Sequence, residues 1–102
     1  MTVYAVTPIR DDTTPALQFG DIRHINLRYV YGDEIENREL PADVQDKLQQ
    51  AAQAFNPERD FVLIAGDHLQ LFYFVAALAR RRIRFCALRW DKMAQGYIPV
   101  WI

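Results

Sequence analysis

Gly66-Asp67-His68 is where side-chain chemistry and position coincide in this 102-residue chain. The triplet follows a short apolar run, Phe61 to Ala65, and opens a helix. In open α/β sheets ligands bind beyond the carboxyl ends of the strands, and helix N-termini attract anions. The surrounding residues do not develop that theme. There is no G-x-G-x-x-G and no phosphate loop ending in Lys-Ser or Lys-Thr, and Asp67 repels an anion. Asp67 is fully explained as an N-cap whose carboxylate accepts from the first free helix N–H groups, with Gln70 at the capping-box position to reach back. A ligand-binding role for Gly66, Asp67 and His68 stands beside that plainer one.

The remaining chemistry-bearing residues are sparse. His24 and His68 are the only histidines, and neither belongs to a paired-ligand motif such as H-E-x-x-H. Cys86 sits among apolar neighbours in a predicted strand, the setting of a structural thiol rather than a nucleophile. No Ser-His-Asp spacing stands out, and no pair of carboxyls is set apart by its surroundings. No catalytic residue, metal ligand or cofactor site is assigned. The strongest surface signal is basic: Arg80, Arg81 and Arg82, then Arg84, Arg89 and Lys92. Arginine at a helix C-terminus complements the dipole and the free carbonyls. Arg80, Arg81, Arg84, Arg89 and Lys92 with nearby aromatics also have the makings of a DNA- or RNA-binding surface, where basic groups hold the backbone and rings stack on bases. Phe72, Tyr73, Tyr97 and Trp101 are the aromatics suited to a protein interface.

These residues are positioned by one unit, Asp60 to Asp91. Phe61–Ala65 has the continuous apolar character of a strand buried on both faces. Leu69–Arg82 has no Gly or Pro and is rich in Leu and Ala, which predicts a helix. It is apolar nearly all round and must be covered on two sides, by the sheet and by either the other helix or a partner subunit. Ile83–Trp90 is the next strand, and a connection of this length implies parallel strands with a right-handed crossover.

The other elements are laid against that unit. Thr2–Thr7 is a first strand, followed by a polar loop, Arg10 to Pro15. Asp21–Tyr31 alternates, with Ile25, Leu27, Tyr29 and Tyr31 on one face and His24, Asn26 and Arg28 on the other. Pro41 suits a first helical turn, and Val44, Leu48, Ala51 and Phe55 recur at helical spacing until Asn56-Pro57 ends the run. Tyr97–Ile102 is a last strand, placed at an edge because Pro99 cannot donate to a ladder. The order β-β-α-β-α-β-β predicts one α/β domain over residues 1–102. It is a small two- or three-layer sandwich with a mostly parallel five-stranded sheet in order 2-1-3-4-5 and an antiparallel C-terminal edge strand, in effect a miniature doubly-wound, Rossmann-like fold.

Composition bounds the class. A chain that is 51% apolar holds a real core, and a single cysteine fits a reducing compartment without a disulfide framework. No run is long enough to cross a membrane, and MTVYAV lacks the features of a signal peptide. The expectation is a soluble cytoplasmic protein with no membrane partner. Net charge is −1 but unevenly placed. Residues 1–67 carry 12 acids and 6 bases, for −6, and residues 68–102 carry 1 acid and 6 bases, for +5.

Several short stretches resemble small uncharacterised α/β proteins of tailed bacteriophages. They are Phe19-Gly20 before the second strand, Phe55-Asn56-Pro57, Leu63-Ile64-Ala65-Gly66-Asp67 entering the Ala-rich helix, Leu88-Arg89-Trp90-Asp91, and Tyr97-Ile98-Pro99-Val100. His68 departs from the proline that often follows Gly-Asp in such proteins. The resemblance implies a phage accessory protein acting in the infected host cell and supplies no catalytic residue. Together with the apolar helix and aromatic edge, it leads to a non-enzymatic binding module, a homodimer engaging a host or phage protein. The alternatives are a nucleic-acid-binding accessory protein and a small ligand-binding or enzymatic domain at the Gly66 turn.

Overall fold

The computed structural model describes residues 1–9 and 13–102. Arg10, Asp11 and Asp12, which the sequence reading places in a loop, lie outside them. One five-stranded sheet runs in the order β2-β1-β3-β4-β5, with β1 Thr2–Ala5, β2 Asp21–His24, β3 Phe61–Leu63, β4 Cys86–Asp91 and β5 Gly96–Trp101. The first four are parallel, and β5 is antiparallel to β4. Helix α1 spans Ala42–Ala54 and α2 spans His68–Arg80. The strand order and the antiparallel edge are those expected from the sequence.

The connections explain which face each helix takes. β2–α1–β3 and β3–α2–β4 both step in the same direction across the sheet. Right-handed crossovers therefore put both helices on one face. The β1–β2 connection steps back the other way and crosses the opposite face, where it forms a 3-10 helix at Thr14–Gln18. The doubly-wound expectation is thus met in strand order but not in layering, because only this short connection covers the second face. The helix-side core centres on Tyr4, Phe55, Phe74 and Phe85, with Phe55 5.5 Å from Tyr4 and 6.3 Å from both Phe74 and Phe85. Val3, Ala5, Ala16, Leu63, Leu88 and Tyr97 form a smaller cluster on the other face.

β1 and β3 each end two residues earlier than expected, at Ala5 and Leu63, with Ile64 exposed, and two further elements differ more. The second strand does not run to Tyr31. After His24, Ile25 and Asn26 still donate from their backbone to Ala5 and Val6, and then Asn26 turns inward. Its amide donates to the Arg28 carbonyl at 3.0 Å while its oxygen accepts from the Arg28 N–H. Such local bonding competes with a ladder. Ile25 packs against the core, but Leu27, Tyr29 and Tyr31 are exposed, so the alternating face is not a buried one. The fourth strand starts at Cys86 rather than Ile83, because Arg82 takes a left-handed conformation (φ 57°) that closes α2 before the chain can extend.

Candidate interaction surface

The turn at Gly66 is built from the inside. Gly66 has φ +90°, and a Cβ there would lie 2.5 Å from Thr7 Oγ1, so glycine is required by both conformation and space. Thr7 Oγ1 accepts from the Asp67 N–H at 3.1 Å, and Asp67 Oδ2 accepts from the Gln70 N–H at 3.3 Å. Asp67 is an N-cap, as its position suggested. Gln70 does not reach back to complete a capping box. Its side chain turns into the protein, where Oε1 accepts from Asn26 Nδ2 at 3.1 Å. Thr7, Asn26 and Gln70 are all fully buried, and Gln70 Nε2 has no partner among the described residues. These three amide and hydroxyl groups knot the carboxyl ends of β1 and β2 to the turn and helix that follow β3, where the strand order reverses. His68 stays outside, exposed, with its ring 6.4 Å from that of Phe72.

No group of three or more His, Cys, Asp or Glu gathers in metal-binding geometry among the described residues. Two grooves lined by described residues lie away from the turn. One runs between α1 and α2 past Asp46, Gln49, Gln53, Ala77 and Arg80, and another lies along the acidic loop at Glu34, Glu36 and Glu39. Glu34 is engaged by Arg28, which also bonds Asp43 at the start of α1 at 3.2 Å. The Tyr31 backbone N–H, then Arg28, hold the Glu34 carboxyl below the usual range, and Arg28 does the same for Asp43. Burial pushes the Cys86 thiol pKa up, the opposite of an activated nucleophile.

The basic residues are spread over several surroundings. Arg81 turns back to α1, donating from Nη1 to the carbonyls of Ala52 and Phe55, both at 2.7 Å. Arg80 lines the interhelical groove. Arg84 lies over the Trp101 ring, 5.7 Å from its centroid. Arg89 and Lys92 are exposed. Strand alternation puts Arg89 on the helix side with Ala87, whereas Trp101 lies on the opposite face, opposite Cys86.

The interface aromatics divide in the same way. The Tyr73 hydroxyl accepts from Gln49 and donates to Gln45, which commits it to the α1–α2 seam. Tyr97 is buried, its ring edge-on to Trp90 at 5.2 Å. Phe72 and Trp101 remain exposed, at 68% and 57%. The interface set expected from the sequence leaves out their companions. On α2, Leu69, Ala76 and Ala79 join Phe72 on the exposed side of the helix. On β5, Ile98, Val100 and Ile102 are exposed on the helix side of the sheet. The available signal for the α2 residues was a helix apolar nearly all round, with one sheet and one neighbouring helix to cover it.

A family model described as phage Pam3 gp32-like protein matches residues 3–102. The chain belongs to that family. Neither the curated proteins nor the solved structures include a match. Membership agrees with the resemblance seen in the sequence and makes this a phage protein with an α/β fold. It brings no defined activity. No helix among the described residues is long and apolar enough to cross a membrane.

Proposed function

We propose that this member of the family is a non-enzymatic phage accessory protein, a homodimeric module that binds a host or phage protein in the cytoplasm of the infected cell. The observation that carries this reading is the uncovered outer side of α2. Leu69, Phe72, Ala76 and Ala79 form an unbroken apolar surface on a helix whose inner side already packs on the sheet. Surface of this kind marks interaction sites. Thr7 and Asp67 at the Gly66 turn are used to hold the turn and cap a helix, which favours binding over catalysis. Mass-resolved size exclusion tests the reading. The wild-type chain is expected to run as a dimer, and Phe72→Glu to weaken it about 100-fold, the scale of a lost central aromatic anchor, while keeping its circular dichroism. A wild-type chain that stays monomeric across the concentration range would refute the dimer.

A second reading, nucleic-acid binding, is favoured by one observation. Arg84 over Trp101, with Trp90 on the same sheet face, makes a basic and aromatic strip. The spread of Arg80, Arg81, Arg89 and Lys92 over other surroundings counts against it.

A further inference from the structure

Helix α2 crosses from β3 to β4, so it runs antiparallel to β4 and parallel to β5. Its α1-facing flank carries Tyr73 and Ala77, and its other flank, with Val75 and Ala79, faces β5. The helix layer ends there, since no helix follows β4. Neighbouring helices pack about 8–10 Å apart and strands about 4.8 Å apart, so the next place in that layer lies over β5. On that face Ile98, Val100 and Ile102 are exposed. They form an aliphatic shelf along the foot of α2, about 20 Å long for a strand of 6 residues.

The shelf carries uncompensated positive charge. Arg89 pairs with Ile98 across β4 and β5, points to the same side of the sheet and is exposed. Among the described residues it has no carboxylate partner, and the ion pairs that form belong to Arg28. Asp91, the one acid of residues 68–102, is committed to its own turn, where it accepts from the Met93 N–H at 3.0 Å. At the other end of the shelf Arg82 is exposed in the left-handed position that closes α2. A surface that is aliphatic and basic at once is matched by a segment that is aliphatic and acidic.

We infer that an acidic amphipathic helix of the partner protein takes this place in the helix layer, its apolar side on Ile98 and Val100 and its carboxylates on Arg89 and Arg82. Complementary charge selects a partner and steers it in, and a helix laid in a groove needs an apolar stripe such as the shelf provides. A second copy of this chain does not match. The acids of its α1, Asp43 and Asp46, sit on a helix whose apolar residues Val44, Leu48 and Ala51 are already buried in their own core. An added strand is opposed by Pro99. The Ile102 N–H donates to the Phe85 carbonyl at 2.9 Å, and alternation from that pair turns the Pro99 backbone outward, where it offers no N–H. A nucleic acid matches the shelf poorly, because Trp90 and Trp101, the exposed rings able to stack on bases, lie on the opposite face of the sheet.

This inference rests on the reading of the chain as a module that binds another protein, and its test separates it from the homodimer. A displayed library of short helical peptides, randomised at every position, is selected against the wild-type chain at low salt. The enriched peptides are expected to combine Glu or Asp with Leu or Ile at helical spacing and to bind less tightly as salt rises. Arg89→Glu, and separately Ile98→Thr with Val100→Thr, are expected to weaken them about 10-fold or more with circular dichroism unchanged. Neutral or basic peptides, no enrichment, or acidic peptides that bind the variants as well as wild type would overturn the inference. So would a labelled oligonucleotide that outcompetes the peptides and is indifferent to the threonine pair, since it would assign the face to nucleic acid. Size exclusion on the same chains keeps the two readings apart. A dimer that selects no acidic helix leaves the homodimer standing and overturns the inference, and a monomer that selects one does the reverse.

Discussion

Asn26 shows how much of this fold depends on one side chain that local sequence does not explain. In an alternating stretch it reads as a wet-face residue. It is instead completely buried, bonded to Arg28 two residues away and to Gln70 forty-four residues away. The first contact is a local habit of Asn. The second exists only because β1, β2 and α2 converge at the carboxyl edge of the sheet, so no local pattern contains it. Asp67 was legible because a cap is local, and Gly66 because a turn must follow the strand, although the Thr7 contact that excludes a Cβ is again long-range. Asn26→Ala leaves the buried Gln70 Oε1 and the part-buried Arg28 N–H and carbonyl without their partner. Unsatisfied buried groups cost about 1–3 kcal/mol each, so a total loss of about 2–4 kcal/mol is expected in urea unfolding. A loss near zero would show that water satisfies the knot without Asn26.

At the scale of elements, the arginine run at the end of α2 has a division of labour. The sequence suggests that it complements the dipole of its own helix. Arg81 instead caps the other helix, giving the Ala52 and Phe55 carbonyls at the end of α1 a charged donor. The two helices are thereby joined at their carboxyl ends as well as along the Tyr73 seam. Removing the guanidinium as Arg81→Ala should lower stability by about 1–3 kcal/mol, the range for hydrogen bonds to a charged group. Arg80→Ala, on the exposed groove wall, should change it by less than about 0.5 kcal/mol. Thermal unfolding of the two variants side by side distinguishes a cap from a generic basic cluster, since equal shifts would contradict the cap. The helices and central strands were legible from periodicity. The end of β2 was not, because Leu27, Tyr29 and Tyr31 keep a strand's alternation while Asn26 takes the backbone out of the sheet. A buried strand face and an exposed apolar one have the same pattern.

For the whole molecule, chain order and handedness were enough to predict the sheet. Two same-direction crossovers and one reversal yield the observed strand order, and the same rule places both helices on one face. What covers β5 was not legible, because it depends on where the helix layer ends rather than on any segment's own pattern. Charge follows the same geometry. The −6 half of the chain includes β2, the acidic loop and α1, whereas the +5 half is α2, β4 and β5. A two-fold contact through α2 therefore brings two basic halves together. Like charges across such an interface repel, and salt screens them over about 10 Å at 0.1 M. Dimerisation is then expected to strengthen as salt rises from low to moderate concentration, with apolar contacts supplying the affinity. Binding of the same basic half to a nucleic acid must do the reverse, because it releases counterions and weakens with salt. Sedimentation equilibrium at two salt concentrations, alone and with labelled oligonucleotide, reads both signs on one sample. Dimerisation that weakens with salt would set acidic surface of one copy against basic surface of the other and so contradict a contact made through the basic half alone.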